Sequence, residues 1–83
     1  MYFFKIQEVL TQEQAELRCP EKMYFKQVLP NGHFIFTMYR DKAFRFSSNK
    51  DPEFKEIYKV LKKDFGRLNY DVHVCKSYGA NNV

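Results

Sequence analysis

The sequence has few residues of the kinds that carry enzyme chemistry. Its 83 residues include two histidines, two cysteines and no tryptophan, and its three glycines stand apart from one another. Isolated glycines exclude a glycine-rich loop that cradles phosphates. Two histidines far apart in sequence, with no nucleophile and orienting group beside them, do not form a catalytic set. We therefore predict a non-enzymatic protein that needs no cofactor.

The cysteines and histidines also fail to form a recognisable metal site. His73 and Cys75 lie two positions apart on a predicted strand, so they share a face. Cys19 and His33 have no ligand-pair spacing, which a Cys₂His₂ zinc site requires. We expect no metal, and two free thiols of the kind found in a reducing compartment.

Long apolar runs are missing as well. No stretch approaches the ~18 residues that a membrane-spanning helix needs. Met1, Tyr2, Phe3 and Phe4 are followed at once by Lys5, which leaves no apolar region as long as that of a secretory signal. We therefore expect a cytoplasmic protein without a membrane partner.

Aromatic side chains are abundant, with nine phenylalanines and six tyrosines. Each aromatic ring can bury about 150–250 Å², which gives a short chain a workable core. The chain is too short for two cores. We predict one domain over residues 1–78 and a disordered tail at residues 79–83, where there is little to bury.

Charge is distributed unevenly around a net value of +4. Residues 1–21 carry two basic and four acidic side chains, whereas residues 22–83 carry twelve basic and six acidic ones. Such asymmetry favours a polyanionic partner, through counterion release and steering. The alternative is the solvated surface of a soluble basic protein.

The first half of the chain predicts strands and one short helix. Alternating apolar residues predict a strand over residues 2–6, with Phe3 and Lys5 on one side. Thr11 and Gln14 have the spacing of a capping box, which begins a helix that runs to about Arg18 and is ended by Pro20.

Residues 24–47 predict a three-stranded antiparallel meander. Asn31-Gly32 is typical of a two-residue type I′ hairpin, which pairs Leu29 with Phe34 and Phe25 with Met38. A three-residue loop at residues 40–42 then pairs Met38 with Phe44 and keeps the apolar residues on one face.

The second half predicts a long helix and a last strand. Asp51 suits the N-cap and Pro52 the first helical position. The helix runs to about Phe65, with Gly66 as its stop, and a strand follows over residues 70–76. The expected fold is α+β, in the order β-α-β-β-β-α-β, with the long helix packed on one face of the meander. The predicted core consists of Phe25, Leu29, Phe34, Phe36, Met38, Phe44, Phe46, Phe54, Ile57, Leu61 and Phe65.

The second face of the meander mixes aromatic and basic residues. Tyr24, Lys26, Tyr39 and Arg45 converge there, with Arg45 placed across from Thr37. Bases stack on aromatic faces while basic side chains contact phosphates, so this face is typical of single-stranded nucleic-acid binding. The alternative is that another strand or a second subunit covers it.

A second basic feature lies on the long helix. Lys55, Lys59, Lys62 and Lys63 follow helical spacing on one side, and Arg67 lies one turn beyond. Arrayed cations can bridge successive phosphates, although a solvated helix face explains the same pattern. The candidate nucleic-acid-binding residues are Tyr24, Lys26, Tyr39, Arg40, Lys42, Arg45, Lys55, Lys59, Lys62, Lys63 and Arg67.

These features lead to three functional hypotheses. The first is a non-enzymatic binding module for RNA, single-stranded or structured. The second is a homodimeric protein-interaction module or inhibitor, suggested by the aromatic content and by Phe3, which has no evident partner. The third is a small ribonuclease with His33 or His73 as general base and Lys26 or Arg45 holding phosphate.

As a small, basic, aromatic-rich domain, the chain resembles the accessory proteins of large tailed phages. Some of those bind RNA and disarm host defences, including toxin–antitoxin ribonucleases. The resemblance implies that RNA contact through Lys26, Arg40 and Arg45 helps the protein to engage and inhibit a host protein in the host cytoplasm.

Overall fold

The computed structural model describes residues 1–77, and its architecture is α+β, as the sequence predicts. A long helix packs on one side of a four-stranded antiparallel sheet. The predicted tail at residues 79–83 lies outside the described residues. The elements are β1 (Tyr2–Glu8), α1 (Gln12–Leu17), β2 (Lys22–Val28), β3 (Phe34–Thr37), a 3₁₀ helix (Arg40–Lys42), α2 (Pro52–Gly66) and β4 (Tyr70–Lys76). The strand order in the sheet is β3-β2-β1-β4.

Strand β1 lies inside the sheet and alternates between its two faces. It pairs with β4 along its whole length, but with β2 only over residues 5–7, which lie opposite residues 22–24. Opposed residues of antiparallel strands share a face. The helix face, which α2 covers, is the side that carries Phe4, Ile6, Phe25 and Val72. The open face is the other side, which carries Phe3, Lys5, Tyr24, His73 and Cys75.

The β2–β3 hairpin does not form the predicted two-residue turn. Gly32 has a positive φ of 88° and Asn31 does not, whereas a type I′ turn requires both. That turn would also pair Pro30 with His33, and proline has no N–H to donate. Instead, the N–H of Leu29 donates to the His33 carbonyl at 2.8 Å, which leaves a three-residue loop.

A bulge in β2 compensates for the longer loop. Val28 pairs with Phe34, but the register shifts between Phe25 and Gln27, so that Phe25 pairs with Phe36 rather than with the predicted Met38. The extra residue keeps all three phenylalanines against the core. The predicted register was wrong, yet the rings lie on the predicted face.

The third strand of the predicted meander does not form beside β3. After the 3₁₀ helix, residues 44–46 lie between β1 and β2, where those strands diverge. The N–H of Phe44 donates to the Phe25 carbonyl at 2.9 Å, and Phe46 exchanges two 2.7 Å backbone bonds with Tyr2. Inserting this segment satisfies backbone groups that the diverging strands cannot pair with each other.

The core is centred on Phe4, which the sequence did not place there. Its fully buried ring lies 4.7 Å from that of Phe54, 5.4 Å from that of Phe46 and 5.7 Å from that of Tyr58, between ring centroids. The predicted apolar stripe of α2 is confirmed: it contributes Phe54, Ile57, Tyr58, Leu61 and Phe65.

Two predicted core residues are exposed. Met38 is 80% exposed and Phe44 is 43% exposed, because both assignments depended on a third strand beside β3. Leu29 is only half-buried in the hairpin loop. Buried residues outside the predicted core are Phe3, Phe4, Ile6, Tyr24, Ala43 and Val72.

The beginning of α2 matches the prediction, and its end lies one residue beyond the predicted one. The Asp51 carboxylate accepts the N–H of Glu53 at 2.9 Å, with Pro52 in the first turn. Gly66, the predicted stop, is the last helical residue, and Arg67 caps the helix with αR geometry. The left-handed conformation occurs at Asn69, whose carbonyl accepts the N–H of Val9.

Helix α1 is held by polar contacts because it buries no residue. Its capping box between Thr11 and Gln14 is present as predicted. The Arg18 guanidinium donates two bonds, of 2.6 and 2.8 Å, to the Glu8 carboxylate, which also accepts the N–H of Glu21. These donors hold the pKa of Glu8 at about 2.

Phe4→Ala should lower the free energy of unfolding by about 3–5 kcal/mol, since it leaves a cavity among four packed rings. Urea denaturation measures the loss, and Phe4→Leu should lose less because it keeps an apolar side chain. The control is Met38→Ala, expected within about 0.5 kcal/mol of wild type. A comparable loss in the control would place the core elsewhere.

The Glu8–Arg18 contact should make stability depend on pH. The pKa of Glu8 is lowered from 4.5 to about 2, so its contribution is complete above pH 4.5 and is lost as the pH falls towards 2. The difference in unfolding free energy between wild type and Glu8→Gln should therefore vanish over that interval. Glu16→Gln, on exposed α1, is the control, and a pH-independent difference for Glu8→Gln contradicts the assignment.

Candidate nucleic-acid interface

The open face of the sheet is built by residues from three strands. Lys5 of β1 lies opposite Tyr24 of β2 on one side and opposite His73 of β4 on the other. Gln7, two positions along β1, lies opposite Lys22. The period-two alternation of side chains thus places two lysines of neighbouring strands on one surface.

Part of the open face is covered by the chain that follows β3. Ala43 packs on Phe3 and Tyr24, and these three residues form a small second core with half-buried Cys75 beside it. The Phe3 and Tyr24 rings lie 6.0 Å apart, and Tyr24 is only 7% exposed. Tyr24 therefore presents no ring on which a base could stack, contrary to the expected arrangement.

Phe3 consequently has intramolecular partners. The hypothesis of a homodimer took part of its support from a Phe3 ring without one. That ring is 1% exposed and lies beneath two guanidinium groups, those of Arg40 and Arg45. It offers no apolar surface to a second copy.

Arg45 acts as a clamp on this second core. Its guanidinium carbon lies 4.2 Å from the Phe3 ring centroid, within the range of a cation–π contact. The same group donates to the carbonyls of Arg40 at 3.0 Å and Ala43 at 3.3 Å. Arg45 is therefore not across from Thr37, which pairs with Tyr24, and two of its N–H donors are engaged within the protein.

Beside this clamp lies a depression of about 230 Å³, here named the cationic pocket. Three basic side chains, those of Lys5, Lys22 and Arg40, surround it, and no carboxylate of residues 1–77 lines it. Its lining residues are Phe3, Lys5, Lys22, Tyr24, Arg40 and Cys75. The arrangement can hold an anion.

Sequence reasoning included Arg40 in the site but missed Lys5 and Lys22. Alternation along residues 2–6 does place Lys5 opposite to the core side of β1. Nothing in the sequence indicates that β1 and β2 are neighbours, however, and that pairing is what brings the two lysines together.

Three other residues of the predicted site are exposed, and each is close in sequence to a residue that lines the pocket. Tyr39, 63% exposed, immediately precedes the 3₁₀ helix, and the ammonium nitrogen of Lys42 lies 5.2 Å from its ring centroid. Lys26 is exposed at the bulge of β2. Tyr39 is thus the ring of the predicted face that remains available for stacking.

The basic residues of α2 lie on the other side of the molecule. Phe54, Ile57 and Leu61 face the sheet, so the lysines between them point outward from the helix face. The sheet therefore separates this second basic surface from the cationic pocket. Its exposed members are Lys55, Lys59, Lys62, Lys63 and Arg67.

The two histidines lie at opposite edges of the sheet. His33 precedes the outer strand β3 and His73 lies on the outer strand β4. Three strand spacings correspond to about 14 Å, so the two imidazoles cannot act as an acid–base pair on one phosphate.

Cys19 is exposed and Cys75 half-buried, and both are free thiols. Among residues 1–77, no cluster of three or more His, Cys, Asp or Glu side chains could hold a metal ion. Over the same residues, no helix is long and apolar enough to cross a membrane.

An apolar groove of about 430 Å³ lies near the beginning of β2. Its lining includes Met23 and Tyr70, which pack against the core, and the exposed Met38. Burial and the nearby carboxylates of Glu21 and Glu8 raise the pKa of the Tyr70 hydroxyl.

Comparison with known proteins leaves the geometry as the basis for function. No family model, no curated protein and no solved structure matches this chain.

Arg45→Ala should destabilise the fold by about 1–2 kcal/mol, because it removes a cation–π contact and two bonds to carbonyls. Amide exchange at Ala43, whose N–H bonds to the Arg40 carbonyl, should accelerate as the 3₁₀ helix loosens. Arg40→Ala is the matched control, expected to have the smaller effect on both measurements. Equal effects of the two changes would contradict the clamp.

Proposed function

We propose that the protein is a non-enzymatic module that binds single-stranded RNA through the open face of its sheet. The observation that carries this proposal is the cationic pocket, which Lys5, Lys22 and Arg40 line without a carboxylate from the described part of the chain. Phosphate contacts of lysine and arginine supply most of the affinity of such modules.

The charge around the pocket supports a polyanionic ligand. Lys26 and Lys42 extend the positive surface along β2 and the 3₁₀ helix. Two acidic residues stand against these cations among residues 1–77: Asp71, which the strand pairing places on the open face opposite Gln7, and Asp41 of the 3₁₀ helix. The excess of cations favours successive phosphates over a single small anion.

Exposed Tyr39 supports a single strand over a duplex. A base stacks on an aromatic ring only when it is unpaired, and such stacking contributes about 1–3 kcal/mol. Tyr39 and Arg40 are adjacent in the chain, so a stacked base and its phosphate can be bound by neighbouring residues. Recognition of RNA typically combines these two contacts.

The open face and α2 are two separate basic surfaces, and the proposal assigns binding to the open face. The β-sheet lies between them, so one short RNA strand cannot contact both surfaces. The cations of α2 follow helical spacing on an outward side, which a solvated helix face explains.

Fluorescence anisotropy with a short single-stranded RNA tests the proposal across salt concentrations. If Lys5, Lys22, Lys26, Arg40 and Lys42 all contact phosphates, the slope of log K against log salt should be about −3.5. Lys22→Gln and Arg40→Gln should each weaken binding about three- to five-fold and reduce the slope by about 0.7. Lys59→Gln and Lys63→Gln, on α2, are matched controls expected to bind as wild type.

Each contrary outcome has a definite meaning. Loss of binding in the α2 variants alone would move the interface to the helix. Absence of binding at low salt, together with a dimer in light scattering, would support the homodimeric protein-interaction module. Cleavage of labelled RNA that His33→Ala or His73→Ala abolishes would support the ribonuclease. A DNA strand of equal sequence measures the preference for RNA.

A further inference from the structure

We propose that the cationic pocket is a subsite for a terminal phosphate monoester, the 5′ or 3′ end of the bound strand. The inference rests on the proposed function and adds the part of the ligand that this pocket selects. It depends on the pocket's size, floor, charge and rigidity.

The volume of the pocket accommodates a phosphate group. At about 230 Å³, it is smaller than the roughly 300–1,000 Å³ of pockets that enclose a drug-sized ligand. Three of its lining residues, Lys5, Lys22 and Arg40, are basic. Such a lining favours a charged phosphate over a neutral base.

The floor of the pocket is closed. It is formed by Phe3, which is 1% exposed, and Tyr24, which is 7% exposed, packed against each other within the sheet. An internal phosphodiester carries chain on both sides and must lie across the opening. A terminal phosphate can enter end-on, towards the three cations that line the pocket.

The charge in the pocket also matches a monoester better than a diester. A phosphodiester carries one negative charge, whereas a monoester carries about −1.5 to −2 at neutral pH and has three acceptor oxygens. Within residues 1–77, the side chains of Lys5, Lys22 and Arg40 donate no hydrogen bond to a protein acceptor. Their donors therefore remain available for a ligand.

Arg40 is held in position before any ligand arrives. Its guanidinium carbon lies 5.2 Å from the Phe3 ring centroid. The Arg40 carbonyl accepts a hydrogen bond of 3.0 Å from the Arg45 guanidinium. This bond fixes the turn that carries Arg40. A pre-positioned guanidinium loses little side-chain entropy on binding phosphate. Arg45 is therefore a positioning residue for Arg40.

Three forms of one RNA strand test the inference at a single salt concentration: with hydroxyls at both ends, with a 5′-phosphate and with a 3′-phosphate. One phosphorylated form should bind about five-fold or more tightly than the hydroxyl form, which corresponds to one additional well-placed ion pair. Which end gains identifies the end that enters the pocket.

Variants locate the gain. Arg40→Gln and Lys22→Gln should abolish the preference for the phosphorylated end, whereas Lys59→Gln on α2 should retain it. Arg45→Lys keeps the charge but loses the planar guanidinium that holds Arg40 in place, so it should reduce the preference for the phosphorylated end and weaken binding of the hydroxyl form to a smaller extent. Lys22 is exposed, so its substitution should leave the fold intact, and thermal denaturation checks this.

The outcomes separate this inference from the proposed function. If phosphorylated and hydroxyl RNA bind equally, the terminal subsite is overturned and binding to the open face stands. If neither form binds, the proposed function fails, and titration with inorganic phosphate tests the pocket alone. Amide shifts confined to Lys5, Lys22, Tyr24 and Arg40 would then support the pocket, and their absence would overturn it.

Discussion

The packing of Phe4 is the contact on which the rest of the structure depends. Its ring is fully buried on the central strand β1 and touches rings from β2, from the segment at residues 44–46 and from α2. A domain of this length buries only about 60% of its unfolded surface. Few residues can therefore join all layers at once, and Phe4 connects the sheet, the inserted segment and the helix.

The inserted segment links the core to the candidate interface. Phe46 lies on the helix face, stacked with Phe25 at 6.2 Å and packed on Phe4, whereas its neighbour Arg45 lies on the open face above Phe3. Successive side chains of an extended segment point to opposite faces of the sheet. Insertion of this one segment therefore produces both the Phe46–Phe4 contact and the Arg45–Phe3 contact. The segment at residues 44–46 thus completes the hydrophobic core through Phe46 and, through Arg45, fixes the turn that presents Arg40 to the cationic pocket.

Local signals predicted the features that depend on neighbouring residues. The capping box at Thr11, the Asp51 cap and the apolar stripe of α2 are present because caps and helical periodicity involve residues only a few positions apart. The hairpin shows that two local signals can oppose each other. Asn31-Gly32 favours a two-residue turn, whereas Pro30, which has no N–H to donate, favours the three-residue loop that forms.

The sequence by itself determined the α+β class, the alternation of polar and apolar residues on β1, and the excess of positive charge after residue 21. Only the tertiary structure decided which of those charges meet. Lys5 and Lys22 are 17 positions apart and become neighbours through the pairing of β1 with β2, whereas the lysines of α2 lie behind the sheet. Strand order depends on how layers pack over long range, which local composition does not encode. The pocket therefore arises from the fold, although each of its cations is visible in the sequence.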